Sequence, residues 1–227
     1  MKDVVFITDA DTPLGCELVN VYLNNGFYIF GTVSQSDDDK KKIKSLYELY
    51  DAFKGNVKFE VWNRKSPASS RSILLQALTA YKEINRVFIL GNPVLSNLKF
   101  IDINFKSIEL NIDNFVKGNI FLVKEIIKYY REKNNTPETD IIALINMTNN
   151  KPVLLLDEIV KRSFSGIIRS LLEINKDEGI NICGFESKSE KYEEFVSYIY
   201  RLIENKAKRI SGRLLKFTSG IMPGIIR

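Results

Sequence analysis

A carboxylate and an amine, Asp157 and Lys161, lie four residues apart in a stretch whose apolar residues recur at helical spacing. Side chains at positions i and i+4 are neighbours on one face of a helix, so this spacing brings the two charges together. The order favours a salt bridge over catalysis, because an acid on the amino-terminal side of a lysine stabilises a helix. The chain contains no histidine, which excludes imidazole metal ligands, histidine general bases and histidine-containing triads.

The composition predicts one soluble domain spanning residues 1–227, because 44% of the residues are hydrophobic and 27% are charged. The two cysteines, Cys16 and Cys183, are far apart and fit no metal-binding spacing. We therefore expect no metal site and a reducing, cytoplasmic environment. The net charge of +5 comes from lysines spread among acids, which predicts a solvated surface and no nucleic-acid binding.

The chain enters an apolar strand at once through the sequence MKDVVFITDAD, which predicts that no signal or transit peptide is present. The longest apolar runs are too short to span a bilayer, so we expect no membrane insertion. No linker, repeat or low-complexity tract divides the sequence.

Strand-like and helix-like stretches alternate from end to end of the chain. Short apolar runs predict strands over residues 4–7, 28–33, 57–62, 86–90, 140–145, 180–185 and, at a sheet edge, 209–217. Apolar residues at intervals of three and four predict helices over residues 14–23, 37–53, 72–81, 112–127, 157–174 and 193–203. The alternation predicts an α/β fold, with a doubly wound, mainly parallel seven-stranded Rossmann-like sheet and helices on both faces.

One long segment, KRSFSGIIRSLLEINKDEGINI, resembles the helix and strand that follow the Tyr-x-x-x-Lys motif of short-chain dehydrogenases/reductases. Gly166, Arg169, Ser170 and Leu171 match the phrase G-L-x-R-S-L, and Gly179 falls at the helix-to-strand turn. The segment RISGRLLKFTSG resembles the strand that ends these proteins, so the resemblance covers essentially the whole chain. The segment GFYIFGTVS resembles sequences of a divergent fungal branch of this superfamily, to which no activity is assigned.

The resemblance implies a catalytic tyrosine, lysine, serine and asparagine. Counting back through the gap-free segment puts Asp157 at the tyrosine position, while Lys161 retains the lysine. A carboxylate cannot act as the proton donor at neutral pH, because its reference pKa is about 3.9 against about 10 for tyrosine.

The other two catalytic positions also depart from the pattern that the resemblance implies. Counting three residues back from Gly118 puts Phe115 at the asparagine position, with Asn114 one residue off the face. The serine becomes Asn149, and Thr148 offers a hydroxyl one position early. Active relatives also have a long substrate loop after the sixth strand, where this chain has only residues 186–191.

The first strand-to-helix turn matches the family pattern T-G-x-x-x-G-x-G only at Thr8 and Gly15. Asp9 replaces the first glycine and Pro13 the second. Those glycines let backbone amides approach a pyrophosphate, whereas proline has no N–H and a carboxylate repels the phosphates. We therefore favour a structural interpretation, in which Gly15 permits close helix–strand packing and Asp11 or Thr12 caps the helix.

The remaining cofactor positions are equally divergent. Asn63 replaces an aspartate that contacts adenine in the family, and residues 34–36 offer neither an acid for a ribose nor an arginine for a 2′-phosphate. Gly91 and Asn92 could still form the turn after the fourth strand. NADP or NAD is the possible cofactor, with weak or absent binding expected.

These departures favour a non-catalytic short-chain-dehydrogenase-like protein that acts in binding or assembly. The alternatives are an NAD(P)-dependent carbonyl reductase or alcohol dehydrogenase with a remodelled site, and a sensor of a nucleotide or other ligand. The resemblance implies pairing through the helices that begin near Ile108 and Asp157, as a homodimer or with a related partner. Seven apolar residues predict this interface: Ile112, Val116, Val123, Ile127, Phe164, Ile168 and Leu172.

Overall fold

The computed structural model describes residues 2–34, 36–91, 100–133, 140–147, 155–174 and 179–219, without the side chains of residues 206 and 207. The strands are β1 (Val4–Ile7), β2 (Tyr28–Ser34), β3 (Val57–Trp62), β4 (Arg86–Leu90), β5 (Ile141–Met147), β6 (Ile182–Ser187) and β7 (Leu214–Phe217). They form one seven-stranded sheet in the order β3-β2-β1-β4-β5-β6-β7. All six pairings are parallel, so the predicted fold class is confirmed.

The helices are α1 (Pro13–Asn24), α2 (Asp39–Leu49), α3 (Pro67–Tyr81), α4 (Phe105–Asn111), α5 (Gly118–Glu132), α6 (Leu155–Ile174) and α7 (Tyr192–Ile210). Short 3₁₀ turns cover Asp51–Phe53 and Phe100–Asp102, and a π-helix covers Ile112–Lys117. The single long helix predicted over 112–127 is therefore wrong in detail, because a wide π-turn separates α4 from α5. Wide turns of this kind often mark functional positions.

Helices cover both faces of the sheet, and apolar side chains on each face form a separate core. On one face α1, α2 and α7 pack through residues such as Leu18, Leu46 and Ile199. On the other face α3, α5 and α6 pack through residues such as Ile73 and Leu122. The central strands are apolar on both sides because helices bury both of their faces.

The carboxyl-terminal elements differ from their predicted bounds. Helix α7 continues to Ile210, seven residues past the predicted end, so Arg209 belongs to the helix and β7 begins only at Leu214. Gly212 has a φ of +74°, and its left-handed conformation makes the turn between the two elements. Strand β7 lies at the sheet edge as predicted. The loop between β6 and α7 is only residues 188–191, even shorter than the sequence predicts.

A buried arginine joins the amino-terminal ends of the sheet to α7. Arg86 donates from Nε and Nη2 to the two carboxylate oxygens of Glu204, over 2.6 and 2.7 Å. Its Nη1 donates to Asp3 over 2.8 Å, and the guanidinium lies 4.8 Å from the ring centre of Phe27. This cluster faces away from the carboxyl ends of the strands, where ligands bind in open parallel sheets.

Candidate functional site

The candidate site is the crevice at the carboxyl ends of the strands, at the point between β1 and β4 where the strand order reverses. Doubly wound proteins bind ligands at such a switch point. Four residues line the crevice, one from the end of each of the first four strands: Asp9 after β1, Ser34 at the end of β2, Arg64 after β3 and Gly91 after β4. Their side chains and backbone decide what the crevice can hold.

The turn from β1 to α1 is tight and internally bonded. Thr12 caps the helix, since its Oγ1 accepts from Gly15 N over 3.1 Å and donates to the carbonyl of Asp9 over 2.8 Å. Pro13 is the first helical residue, where its missing N–H costs nothing. A Cβ on Gly15 would lie 2.1 Å from the carbonyl oxygen of Asp9, so glycine is required for this close approach.

The predicted packing role of Gly15 and the predicted cap, which is Thr12, are therefore confirmed. Asp11 instead pairs with Lys42, over 3.0 Å. Asp9 has a φ of +51°, the left-handed conformation that a glycine would adopt more easily. The turn keeps the backbone shape of a glycine turn but places a carboxylate in it.

Arg64 crosses the crevice and binds the groups around it. Its Nη2 donates to the Asp9 carboxylate in a buried ion pair. Its Nε donates to Ser34 Oγ over 3.0 Å, and Ser34 Oγ in turn donates to Asp9 over 3.0 Å. On the other side, Nη1 donates to Asn119 Oδ1 over 3.1 Å and to the carbonyl of Asn114 over 3.5 Å.

Aromatic rings and a glycine complete the surroundings of Arg64. The guanidinium carbon lies 4.3 Å from the ring centre of Trp62 and 5.6 Å from that of Phe115. Both distances are within the range of cation–π attraction. A Cβ on Gly118 would lie 2.7 Å from Arg64 Cβ and 2.9 Å from its carbonyl oxygen. Glycine at the start of α5 therefore lets the backbone of residue 64 approach.

Burial raises the pKa of Asp9, and this effect is larger than the opposite effects of the Arg64 charge and hydrogen bond. The nearby Asp11 carboxylate raises the pKa further, whereas the hydrogen bond from Ser34 lowers it. Arg64 is therefore the strongest of the influences that lower the pKa of Asp9 and favour its carboxylate form.

The other predicted cofactor positions serve the fold. The hydroxyl of Thr8 accepts from Leu90 N over 2.8 Å, which ties β1 to β4. Asn63 Oδ1 accepts from Lys65 N over 3.1 Å, within the turn that leads to α3. A Cβ on Gly91 would lie 2.0 Å from the ring of Phe164 on α6, so this glycine permits helix packing. Asn92 lies outside the described residues.

These residues do not fit a dinucleotide. A pyrophosphate needs free backbone amides at the start of the first helix, but the amides of Ala10, Thr12 and Gly15 donate to Thr32 O, Asp9 O and Thr12 Oγ1 respectively. The Asp9 carboxylate faces the same space, and the Arg64 side chain lies across it. Reaching the phosphates would require both side chains to move.

Helix α6 carries the predicted catalytic pair. Asp157 and Lys161 are both buried, at 1% and 7% exposure, and the salt bridge between them stays a prediction. The carbonyl of Lys161 accepts from Asn146 Nδ2 over 3.3 Å, and the same amide nitrogen donates to Ser165 Oγ over 2.7 Å. Ser165 donates to Glu186 over 2.9 Å. This chain of polar groups at the ends of β5 and β6 joins the strands to α6.

The predicted asparagine position lies in the π-helix. Phe115 is buried there, with its ring near Arg64. Asn114 is half-buried, and its carbonyl accepts from Arg64. Asn119, one turn later, is the amide that the sequence analysis did not identify, and its Nδ2 donates to the carbonyl of Phe115 over 2.8 Å. Thr148 and Asn149 lie outside the described residues.

The predicted assembly face is partly wrong. The apolar residues that cover the sheet and are not available to a partner are Val123, Ile127, Phe164, Ile168 and Leu172. Ile112 and Val116 remain half-exposed. The large apolar side chains that do reach the surface on α4, on α5 and at the start of α6 are Phe105, Ile108, Leu110, Ile120, Leu155 and Ile159.

Arg64, Ser34, Trp62 and Asn119 form the part of the site that the sequence analysis missed. The only sequence signal was an acid, Asp9, in the turn after β1 and an arginine, Arg64, shortly after β3. In this sheet β1 and β3 are separated by β2 alone, so the ends of the two strands lie close together. Within the described parts of the chain, no group of three acidic, cysteine or histidine side chains could hold a metal ion. No described helix is both long enough and apolar enough to cross a bilayer.

Solved structures of other proteins share this architecture. The sequence matches no protein-family model and no curated protein. The structure matches a 3-ketoacyl-(acyl-carrier-protein) reductase from Brucella melitensis complexed with NADH, with a TM-score of 0.79, 12% identity and coverage of 96% and 97% of the two chains. It also matches a short chain dehydrogenase from Bacillus anthracis, with a TM-score of 0.78, 15% identity and coverage of 99% and 98%.

A third similar structure is ElxO with NADP bound, with a TM-score of 0.77, 16% identity and coverage of 95% and 97%. These matches extend over nearly the full length of each chain. The protein therefore has the fold of the short-chain dehydrogenases/reductases, a Rossmann-like α/β fold.

Proposed function

We propose that this protein is a non-catalytic short-chain-dehydrogenase-like domain that acts in binding or assembly. The observation that carries the proposal is Asp157, which the resemblance puts at the position of the proton-donating phenol and which is buried on α6. Aspartate lacks the phenol hydroxyl that donates the proton to a carbonyl in the chemistry that the resemblance implies. The resemblance puts Phe115, which is buried, at the asparagine position, so a second group that the reaction would use is absent there.

An NAD(P)-dependent reductase with remodelled chemistry is the second candidate. Two observations favour it: Lys161 remains at the position that the resemblance implies, and two of the similar structures are named with NADH or NADP. This candidate requires a proton donor other than Asp157 and a crevice in which Arg64 has moved. The two candidates differ in one measurable property, which is turnover of a reduced dinucleotide.

We expect no measurable consumption of NADPH or NADH by the purified protein over a panel of ketones, aldehydes and 3-ketoacyl thioesters. Asp157→Tyr alone should not restore activity, because catalytic groups that act as a unit do not contribute additively. The assay follows absorbance of the reduced dinucleotide, with a 3-ketoacyl reductase as positive control. Sustained turnover by the natural sequence would favour the reductase and contradict this proposal.

Assembly is supported by the apolar side chains on one side of the molecule. Phe105 is 74% exposed, and Ile108, Ile120, Leu155 and Ile159 are each between 37% and 45% exposed. Helix α4 contacts α6, so the exposed residues at the start of both helices lie on neighbouring elements. Large exposed apolar patches on soluble proteins are uncommon unless a partner covers them. A homodimer is the simplest arrangement, and a related short-chain-dehydrogenase-like partner is the alternative.

Phe105→Glu should convert a dimer into a monomer while leaving the fold intact, because the charge would have to be buried in the interface. Light scattering coupled to gel filtration measures the mass, and circular dichroism checks the fold. The matched control is Leu49→Glu, at a 63% exposed position on α2 away from this face, which should leave the mass unchanged. A natural protein that is already monomeric at high concentration, alone and with candidate partners, would remove the support for assembly.

A further inference from the structure

The crevice contains a complete binding site for a guanidinium group. We propose that Arg64 is an internal ligand of this site, and that the chain's own arginine fills the space that a dinucleotide-binding relative leaves for its cofactor. This inference goes beyond the proposed function, which concerns turnover and assembly and does not depend on what holds the crevice closed.

The hydrogen bonds match the planar guanidinium in number and direction. Arginine presents five N–H donors in a fixed plane, and here four acceptors meet three of its nitrogens. They are the Asp9 carboxylate at Nη2, the Ser34 hydroxyl at Nε, and the Asn119 amide and Asn114 carbonyl at Nη1. Lysine could not satisfy acceptors spread in this way, because its amine is a single point charge.

Local features of the chain fit Arg64 in particular. Asp9 adopts a left-handed conformation, which aspartate tolerates better than most residues other than glycine, and its carboxylate accepts from Arg64. Gly118 leaves room for the backbone of residue 64. Trp62 and Phe115 offer ring faces within reach of the positive charge. Residues from the turn after β1, from β2 and β3, and from the π-helix and α5 therefore converge on one side chain.

Arg64 also supplies a hydrogen-bond donor to the π-helix between α4 and α5. A π-turn displaces backbone carbonyls from their usual helical partners, and Arg64 donates to the carbonyl of Asn114 within that turn. Asn119, held by the same guanidinium, donates to the carbonyl of Phe115. The arginine therefore connects the crevice to the helices that carry the exposed apolar side chains.

A double-mutant cycle tests the pair. Arg64→Met leaves the Asp9 carboxylate buried without its cation, and should lower Tm by about 6–20 °C. Asp9→Gly combined with Arg64→Met should recover most of that loss, because a buried ion pair can be replaced as a whole and glycine suits the φ of residue 9. The control is Arg71→Ala, an exposed arginine on α3, which should leave Tm unchanged. Additive effects of the two substitutions would overturn the inference.

The loss in Arg64→Met should also depend on pH. Without Arg64, the remaining influences on Asp9 are burial and the Asp11 charge, which raise its pKa, and the Ser34 hydrogen bond, which lowers it. A group whose pKa is raised in the folded state stabilises the fold below its unfolded pKa and loses this contribution as pH rises. The Tm difference between the natural protein and Arg64→Met should therefore widen from pH 5 toward pH 8. A difference that narrows with rising pH would contradict the pairing.

Chemical rescue tests the site directly. Arg64→Ala opens space for an added guanidinium, so N-methylguanidinium at millimolar concentration should raise its Tm by about 5 °C at a hundredfold excess over Kd. The natural protein and the Asp9→Asn, Arg64→Ala double variant should show no such rise. Equal rises in all three, or none in Arg64→Ala, would overturn the inference. If Arg64→Ala does not fold, the coupling measured with Arg64→Met decides the question.

These readouts are independent of the proposed function. Dinucleotide turnover with an intact Asp9–Arg64 coupling would contradict the proposed function; the guanidinium site would remain, but Arg64 would not exclude a dinucleotide from the crevice. Absent coupling without turnover would overturn the internal ligand and leave the proposed function standing.

Discussion

Arg86→Met should lower the free energy of unfolding by about 3 kcal/mol, since removing the buried guanidinium leaves the partly buried Glu204 carboxylate without its cation. Arg86 is 2% exposed, and both of its bonds to Glu204 are shorter than 2.8 Å. The bonds join β4 to α7 across 118 positions of the chain, so their loss weakens the attachment of α7 to the sheet. Methionine fills similar volume, which keeps a cavity from adding to the effect.

Chemical denaturation, followed by circular dichroism, measures this loss. The matched control is Arg162→Met, which breaks an exposed pair with Glu158 at i,i+4 on α6. Such surface pairs contribute about 0–1 kcal/mol, so the control should be close to the natural protein. Equal small losses in both variants would show that the Arg86 cluster does not hold α7 against the sheet.

Gly15→Ala should destabilise the fold by about 3 kcal/mol or more, because a methyl group would overlap backbone atoms that cannot move cheaply. The new Cβ would lie 2.1 Å from the carbonyl oxygen of Asp9 and 2.9 Å from Ala10 Cα. Relieving the overlap would push α1 away from β1 and open the turn that Thr12 caps. This cost is structural and does not require any bound cofactor.

The matched control for Gly15 is Gly166→Ala on α6. A Cβ at Gly166 meets nothing within 4 Å, and alanine favours a helix over glycine by about 0.5–1 kcal/mol. The two substitutions are chemically identical, yet denaturation should show loss for one and a small gain for the other. A mild effect at Gly15 would mean that the first turn is not held as tightly as its geometry indicates.

The sequence predicted the fold because the apolar patterns of buried strands and amphipathic helices are local. The strands Val4–Ile7 and Val57–Trp62 could each be predicted from their own residues, without knowledge of the strands beside them. It missed the π-helix at Ile112–Lys117, because apolar spacing of three and four continues through a wide turn without interruption. It ended α7 too early, since polar residues on the exposed face of a helix resemble a helix end.

The candidate site was harder to predict because its contacts are distant in sequence. Arg64 reaches Asp9 and Asn119, each 55 residues away, and no local pattern connects them. The cap was predicted to be Asp11 or Thr12, and the structure selects Thr12, because capping depends on neighbouring residues alone. The apolar stripe on α5 and α6 was assigned to an interface, but five of its seven residues cover the sheet. Periodicity shows which face of a helix is apolar and cannot show what covers that face.

The most direct test of the central claim is a calorimetric titration of the natural protein with NADPH, and separately with NADH. The closed crevice predicts no heat beyond dilution at concentrations that would detect a Kd of about 1 mM or tighter. Saturable binding of one dinucleotide per chain would contradict the account, because Asp9 and Arg64 would have to leave the space that the phosphates occupy.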